Sequence, residues 1–405
     1  MPPLPAPPGA PQSPAQFFIT DEPDDDDDAA ASRLGAARAH ALSWRRAHAC
    51  GLQSPSLHLR ALASGGTVAS SRAAAMDILT HACGVRVCVP SSSIRFFLLC
   101  VYAFSSSQCI RPQGDALAAE YVLLHSLSRV HARPDPVVLG CVSLSLRGPP
   151  PGAAAAAASP ASLVAASLAS ALRSLLPRLV CAPLSVASLN AGGWVAHKDY
   201  ALNEVVPGLL QLADGTTLLL DETGLQPGRL SETGSASLAA LRSLATTASC
   251  PLDFGYYELT THTDVPVLTV SSGASILPCS VAVHLRCDRA PCRSGLLDAA
   301  EADGGGGAAA VLARVREYLA SARFGRHAIS PSAEAHVEAS IAAVRARAAA
   351  ASGVAGGALK AEDLHTLLTL SRLMSLSHGR EELTIECWER VAAMEAARVA
   401  RGAAA

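Results

Sequence analysis

Two adjacent carboxylates, Asp221 and Glu222, directly follow the apolar run Leu218–Leu220. An apolar run of this length is typical of a buried strand, so the acidic pair would lie where that strand ends. This is the Walker B pattern, in which the first carboxylate supports Mg²⁺ and the second polarises the water that attacks a nucleotide phosphate. Acidic pairs at strand ends are also common without a catalytic role. The pattern by itself leaves both interpretations open.

Nucleotide hydrolysis also requires a phosphate-binding loop, G-x-x-x-x-G-K-[ST], whose backbone N–H groups and lysine hold the phosphates. The candidate position follows a strand predicted at Val137–Leu146 and reads Arg147-Gly148-Pro-Pro-Pro-Gly152-Ala. It has neither the lysine nor the Ser or Thr that would bind the metal, and its prolines remove backbone donors. We therefore predict that Asp221 and Glu222 form a degenerate Walker B site, with no bound cofactor and no ATP hydrolysis. An active ATPase with an atypical phosphate loop is the alternative.

A second polar cluster, His197-Lys198-Asp199-Tyr200, lies in a segment that we predict to be a loop. These residue types could serve as an acid/base site, but no nucleophile motif such as G-x-S-x-G accompanies them. A structural or interface loop is therefore the better interpretation. We take His197, Lys198, Asp199 and Tyr200 as candidate interface residues.

Cysteine spacing gives little support to a metal site. Cys287 and Cys292 are separated by four residues, and His284 precedes them. No second close pair is available to complete a four-ligand site. Free thiols in a reducing compartment are favoured, and we predict no metal ligands.

Charge favours a protein partner over nucleic acid. The formal net charge is −2, which provides no basic field that would attract phosphates. Arg314, Arg316, Arg323 and Arg326 form a basic stretch on or just after a predicted helix and could belong to a DNA-binding module. A solvated helix face is the commoner role of such a stretch, and we favour it.

The first third of the chain shows little regular spacing of apolar and polar residues. Residues 1–55 are proline-rich and acidic, and their run Asp24–Asp28 predicts a disordered segment, either a solvated spacer or a contact for a basic partner. Residues 56–113 are poorly defined. Within them, 85–113 contains an apolar stretch that is too short to span a bilayer. We interpret 85–113 as an insertion or a retained intron.

Residues 114–303 predict an α/β domain with a mostly parallel sheet covered on both faces, because strands alternate with helices. The predicted helices are 115–130, 160–176 and 235–247, and the predicted strands are 137–146, 184–189, 217–220, 265–270 and 281–285. A glycine run then leads into a helical C-terminal domain, 304–405. Its predicted helices are 308–322, 332–350, 361–377 and 385–401, the last of them capped by Thr384 with Leu383 and Trp388 as a hydrophobic staple.

Separated blocks of the sequence resemble one family in colinear order: Gly114–His125, His197–Tyr200, Val206–Leu212, Leu220–Thr223, Gln226–Leu230, Asp253-Phe254, Val267–Pro278, Asp363–Leu368 and Leu373–Ser377. This is the mini-chromosome maintenance (MCM) complex-binding protein family, and the resemblance covers roughly residues 114–401. Residues 208–222 are also similar to the turn and Walker B strand of MCM helicase subunits. Val267–Ser271 then occupies the position of the sensor strand of AAA+ motors.

The resemblance implies a non-enzymatic nuclear protein that binds MCM helicase subunits. It implies a degenerate AAA+-like (MCM-like) parallel-sheet domain followed by a helical lid-like domain. It also implies roles in DNA replication, through supply of MCM complexes and their unloading from chromatin, and in sister-chromatid cohesion. Chromatin association would be indirect, and we expect no membrane contact. Two departures stand out: the family has a longer N-terminal region, and 85–113 interrupts a pattern that is continuous in the family.

Overall fold

The computed structural model describes residues 67–83, 115–134, 137–148, 160–286, 307–352 and 361–404. The predicted N-terminal segment 1–55, the interruption at 85–113 and the pair Cys287 and Cys292 lie outside these residues. The candidate phosphate loop beyond Gly148 also lies outside them. What we expect of those segments stays a prediction.

The elements described up to residue 286 are both helices and strands. In chain order they are α1 (Thr67–Ala82), α2 (Ala116–Leu127), β1 (Leu144–Gly148), α3 (Pro160–Leu175), β2 (Leu179–Pro183), α4 (Val186–Ala191), β3 (Ala196–Asp199), β4 (Glu204–Val206), β5 (Thr217–Asp221), α5 (Glu232–Thr247), β6 (Ser249–Asp253), β7 (Glu258–His262), β8 (Val267–Ser272) and β9 (Val281–His284). After residue 306 follow α6 (Gly307–Arg323), β10 (Ala328–Ile329), α7 (Pro331–Ser352), α8 (Ala361–Ser377), β11 (Glu382–Leu383) and α9 (Ile385–Ala404).

The central sheet has five strands in the order β2-β5-β8-β1-β9, and every neighbouring pair is parallel. Its faces are covered by separate hydrophobic clusters. Leu219 of β5 packs in the cluster that includes α1, α2 and α3, whereas Leu218 and Leu220 pack in the cluster that includes α5. Side chains that alternate between two buried faces explain why β5 has three consecutive leucines at its centre. The predicted α/β class with a parallel sheet is confirmed.

Two predicted strands differ from the structure. The segment predicted as a strand at 184–189 contains helix α4, because Ser185 and Ser188 form a reciprocal capping box that starts a helix. The neighbouring strand is β2, five residues earlier. The strand predicted at 137–146 begins only at Leu144, because Gly140 has a φ of +95° and takes the chain out of the extended conformation.

A second, four-stranded sheet has the order β4-β3-β6-β7 and was not predicted. Its β3–β4 and β6–β7 pairs are antiparallel hairpins, and parallel pairing of β3 with β6 joins them. The first hairpin follows α4, and the second lies between α5 and β8. Both hairpins are therefore insertions between elements that cover or form the central sheet.

The C-terminal helices complete the larger hydrophobic cluster. Tyr318 of α6, Met374 of α8 and Trp388 of α9 are buried in it together with residues of α1 and α2. The hydroxyl of Thr384 accepts a hydrogen bond from the backbone N–H of Cys387 (3.4 Å), so the predicted cap of α9 is present. The predicted boundary at residues 303 and 304 lies outside the described residues and stays a prediction.

Buried ion pairs reinforce this packing. Arg401 of α9 donates to both carboxylate oxygens of Asp115 at the start of α2, at 2.7 and 2.8 Å. Arg72 of α1 pairs with Glu120 of α2. None of the helices in the described ranges combines the length and the apolar character that crossing a membrane requires.

Candidate functional site

Asp221 is the last residue of β5, at the edge where the parallel strands of the central sheet end. Its Oδ1 accepts hydrogen bonds from the backbone N–H of Thr223 (2.9 Å) and from Thr223 Oγ1 (2.6 Å). These bonds form a local turn that leads the chain away from the strand. One carboxylate oxygen of Asp221 is therefore already engaged in hydrogen bonds within this turn.

Glu222 points into the protein, and the residue is 4% exposed. Its Oε1 accepts a hydrogen bond from Ser275 Oγ (2.9 Å), and its Oε2 accepts one from the backbone N–H of Ile276 (3.3 Å). Burial raises the pKa of Glu222, and the bonds from Ser275 and Ile276 and the charge of Arg147 act against that rise. Both oxygens hold the loop that follows β8. A side chain bound in this way is poorly placed to polarise a substrate water.

At the same edge of the sheet, two strands away from β5, the end of β1 at Gly148 is closed by tight packing. A Cβ on Gly148 would lie 2.7 Å from the Cβ of Ala161 in the first turn of α3, so only glycine allows this approach. Across the described ranges, no group of three or more His, Cys, Asp or Glu side chains is arranged to hold a metal ion.

The polar cluster predicted as a loop is mostly strand. His197, Lys198 and Asp199 lie in β3, which is paired on both sides, and Tyr200 begins the turn to β4. The prediction of a loop is wrong because β3 forms hydrogen bonds within its own hairpin and also with the second hairpin. The alternation of apolar and polar residues along the sequence does not reveal this pairing. The four residues are brought together on one small sheet. Their role as interface residues stays a prediction.

An aromatic group, which sequence reasoning missed, lies at the tips of the two hairpins. The Tyr200 hydroxyl donates to the carbonyl oxygen of Phe254 (2.7 Å), and its ring meets Tyr256 edge-on with 5.7 Å between centroids. The rings of Phe254 and Tyr257 stack with 4.9 Å between centroids. Adjacent tyrosines directly after the turn glycine Gly255 were the available signal, in a chain whose aromatic content is only 4%.

One face of the small sheet is apolar apart from Lys198, and the other face is mostly polar. Register places Leu252 opposite both Ala196 and Leu259, and Val205 opposite Lys198, so these five side chains share a face. On the other face, Asp199 lies opposite Glu204, and Asp253 lies opposite both His197 and Glu258. Val205 and Leu259 are exposed. The apolar face is therefore open to solvent towards the hairpin tips.

The basic stretch considered for DNA binding is not a continuous exposed surface. Arg316 is buried and its Nε donates to the carbonyl oxygen of Ser174 (2.8 Å). Arg323 is also buried and lies 3.9 Å from a carboxylate oxygen of Asp264. Only Arg314 and Arg326 of the four are exposed. The solvated helix face that we favoured is accordingly wrong for Arg316 and Arg323, which serve packing.

Comparison with known proteins places this geometry in context. A family model described as mini-chromosome maintenance replisome factor matches residues 110–402. The mini-chromosome maintenance complex-binding protein of Arabidopsis thaliana is 34% identical over 289 residues, which are 71% of this chain and 45% of that protein. The protein of the same name from Danio rerio is 34% identical (71% and 43% covered), and that from Homo sapiens is 31% identical (71% and 42% covered). The chain spans less than half the length of these relatives.

Proposed function

The chain belongs to the mini-chromosome maintenance replisome factor family, and on that premise we propose that it binds the MCM complex as a non-catalytic partner of MCM helicase subunits. The proposal is carried by the family-model match over residues 110–402, together with the similarity to relatives named for binding that complex in a plant, a fish and a mammal. Because the chain covers less than half of each relative, the proposal concerns the activity that this matched part supports.

We propose further that residues 114–303 form a degenerate AAA+-like domain and that residues 304–405 take the place of its helical lid. The parallel sheet with an acidic pair at the end of β5 supports this proposal. So does the position of β8, which lies between β5 and β1, where a sensor strand would lie. A domain with the shape of a helicase subunit offers subunit-like surfaces on which true subunits could dock.

Absence of nucleotide chemistry is part of the proposal. The positions that should hold phosphates read Arg147-Gly148-Pro-Pro-Pro-Gly152, without lysine, serine or threonine. The carboxylate oxygens of Glu222 already accept hydrogen bonds from Ser275 and Ile276. Both observations favour association over hydrolysis.

The cellular setting follows from the resemblance. We propose a nuclear protein that acts in DNA replication by supplying MCM complexes or unloading them from chromatin, and that supports sister-chromatid cohesion. Its chromatin association would be indirect, through MCM subunits. Imaging of the tagged chain should place it in the nucleus, and a tagged chain that stays outside the nucleus throughout the cell cycle would contradict this.

Affinity purification tests the central proposal. The full chain carrying a tag should enrich MCM subunits from a cell extract at moderate salt, and the enrichment should survive nuclease treatment because it does not depend on DNA. A tagged, unrelated acidic protein of similar size provides the background. No enrichment of any MCM subunit above that background would contradict the proposal.

The alternative function, an ATPase with an atypical phosphate loop, is favoured by one observation: Asp221 and Glu222 do lie at the carboxyl edge of a parallel sheet. Steady-state hydrolysis of Mg-ATP by the full chain and by Glu222→Gln decides between the two. We expect no turnover from either protein, and MCM binding by Glu222→Gln within about twofold of wild type, because glutamine keeps most of the hydrogen bonds. Turnover that Glu222→Gln abolishes would establish the ATPase.

A further inference from the structure

Two arginines and two histidines from three separate segments meet where α6 and α8 pack against α2. Arg129 and His131 lie in the segment that follows α2, His327 lies between α6 and β10, and Arg372 lies on α8. We call these four residues the cationic cluster. Residues that are distant in the sequence and share a capacity for positive charge form a candidate site for an anion.

The segment that carries Arg129 and His131 is fixed by its backbone. The N–H of Arg129 donates to the carbonyl oxygen of Gly140 (3.2 Å), and the N–H of His131 donates to that of Leu139 (2.9 Å). Gly140 has a φ of +95°, and a Cβ there would lie 2.5 Å from the carbonyl oxygen of Arg129, so only glycine allows this approach. The guanidinium of Arg129 also lies over the ring of Phe324, 4.9 Å from its centroid. The position of Arg129 is therefore set before any ligand binds.

Two nitrogen atoms of the cationic cluster are buried without a hydrogen-bond partner among the residues that the structure describes. They are Nη1 of Arg372 and Nε2 of His327. Buried polar atoms nearly always have a partner, so each exception calls for an explanation. His131 is exposed, and Arg129 and Arg372 are only partly buried. The cluster can therefore be reached from solvent.

The charges that act on the cationic cluster are all positive. Burial, together with the charges of Arg372 and His131, lowers the pKa of His327 to about 4. Partial burial and the charges of Arg372 and Arg129 lower the pKa of His131. Burial and the charge of Arg129 lower the pKa of Arg372. An anion beside these groups would favour their protonated forms and offset the repulsion among them.

Carboxylates flank the cationic cluster without neutralising it. Asp264 Oδ1 accepts a hydrogen bond from the backbone N–H of Val130, in the middle of the segment after α2 (2.8 Å). The carbonyl oxygen of Glu381 accepts one from the N–H of Ala328, the residue after His327 (2.8 Å). A long polyanion would meet these acidic residues on both sides, whereas a small anion would not. The surroundings therefore disfavour nucleic acid.

We propose that the cationic cluster binds a single phosphate group, either free or carried by a phosphorylated serine or threonine side chain. Each guanidinium can donate paired hydrogen bonds to phosphate oxygens, and the imidazoles supply further donors. The phosphate would give partners to Nη1 of Arg372 and Nε2 of His327. A carboxylate has two oxygens and one charge, so it matches this set of donors less well. The inference goes beyond MCM binding and does not depend on it.

Isothermal titration calorimetry of the full chain with inorganic phosphate, at constant ionic strength, tests the proposal. Wild type should bind phosphate with a Kd of about 1 mM or lower. Arg129→Gln and Arg372→Gln should each weaken this binding at least about tenfold, because each removes one charged donor group. The matched control is Arg242→Gln, which removes the same charge from an exposed position on α5 and should bind phosphate like wild type.

Thermal unfolding separates loss of the site from loss of the fold. Without phosphate, Arg372→Gln should melt at or above the wild-type temperature, because it removes repulsion within the cationic cluster. Phosphate should raise the melting temperature of wild type and of Arg242→Gln, and leave that of Arg372→Gln unchanged. If Arg372→Gln does not fold, Arg129→Gln provides the same comparison, and an unchanged circular dichroism spectrum verifies its fold.

Titration with O-phosphoserine distinguishes the two sources of the phosphate. Binding at least as tight as that of inorganic phosphate would support a phosphorylated side chain, and weaker binding would support the free anion. No saturable phosphate binding by wild type, or binding that Arg129→Gln and Arg372→Gln both retain, would overturn the inference. Duplex DNA binding with a steep salt dependence that Arg372→Gln loses, in a chain that does not bind phosphate, would assign the cluster to nucleic acid and would also overturn it. None of these results bears on MCM enrichment, so the two proposals fail separately.

Discussion

Asp115 connects the start of α2 to the far end of the chain, and its removal should measure how firmly α9 is fixed. The side chain is fully buried. Its Oδ1 accepts from the backbone N–H of Ala118 (3.1 Å) and caps α2, and its Oδ2 accepts from the N–H of Arg286 (3.0 Å). Arg401 donates to both oxygens from α9. Asp115→Ala removes all of these bonds at once.

The expected cost follows from these contacts. Loss of a helix cap costs about 1 kcal/mol. Leaving a partly buried arginine without its carboxylate costs about 3 kcal/mol, at the lower end of the range for buried pairs. The lower end applies because Arg401 is 14% exposed and keeps a bond to the carbonyl oxygen of His284 (3.0 Å). We therefore expect Asp115→Ala to lower the free energy of unfolding by about 4 kcal/mol.

Arg401→Ala should cost about 2 kcal/mol, less than Asp115→Ala, because the carboxylate keeps its two backbone donors. The loss in free energy of unfolding for the double variant should be about 2 kcal/mol smaller than the sum of the losses for the two single variants, because no charge is then left buried without its partner. Urea unfolding followed by far-ultraviolet circular dichroism measures all three. Arg390→Ala, an exposed arginine on the same helix, is the control and should stay within about 0.5 kcal/mol of wild type. A change below about 1 kcal/mol for Asp115→Ala, or additive single variants, would refute the reasoning.

Two further predictions concern the core. His125 is fully buried and donates to the carbonyl oxygen of Val267 (3.1 Å), and burial lowers its pKa from 6.5 to about 4. As the pH falls from 6.5 to 4, the unfolded chain therefore binds a proton at His125 before the folded chain does, and the free energy of unfolding should fall by up to about 3 kcal/mol. Urea unfolding of His125→Gln at several pH values should show a weaker dependence of this free energy on pH. A pH dependence equal to that of wild type would contradict the prediction. Trp388 is 2% exposed and its Nε1 donates to Ser340 Oγ (3.0 Å). Trp388→Ala should cost about 4 kcal/mol in the same unfolding assay, and a loss below about 1 kcal/mol would show that the site is not packed as described.

Elements with strong local signals could be predicted from the sequence. The helix at Ala361–Ser377 was predicted with its bounds, and α9 was predicted to begin at Ile385, because amphipathic spacing and the Thr384 cap are both local features. Strand β5 was also predicted, since Leu218–Leu220 is apolar on both faces. The failures had local causes as well. At α4 the apolar residues suggested a strand, and the capping box of Ser185 and Ser188 decided for a helix.

The candidate site was harder to predict because it depends on long-range pairing. Asp221 and Glu222 were placed correctly at a strand end, but the bonds of Glu222 come from Ser275 and Ile276, more than fifty residues away. The two hairpins of the small sheet meet at their turns near residues 200 and 255, which interact through Tyr200 and Phe254. Short, half-exposed strands have no periodicity strong enough to show that two such turns meet.

The order of synthesis gives the position of α9 a consequence inside the cell. Its Val391 and Met394 pack in the same cluster as α1 and α2, yet the ribosome makes them after every strand of the central sheet. At ordinary elongation rates, apolar surface on α2 stays uncovered for roughly 10–50 s before α9 emerges. The nascent chain should therefore engage holding chaperones during that interval, and messages that stop before residue 385 should yield products that are cleared by proteolysis.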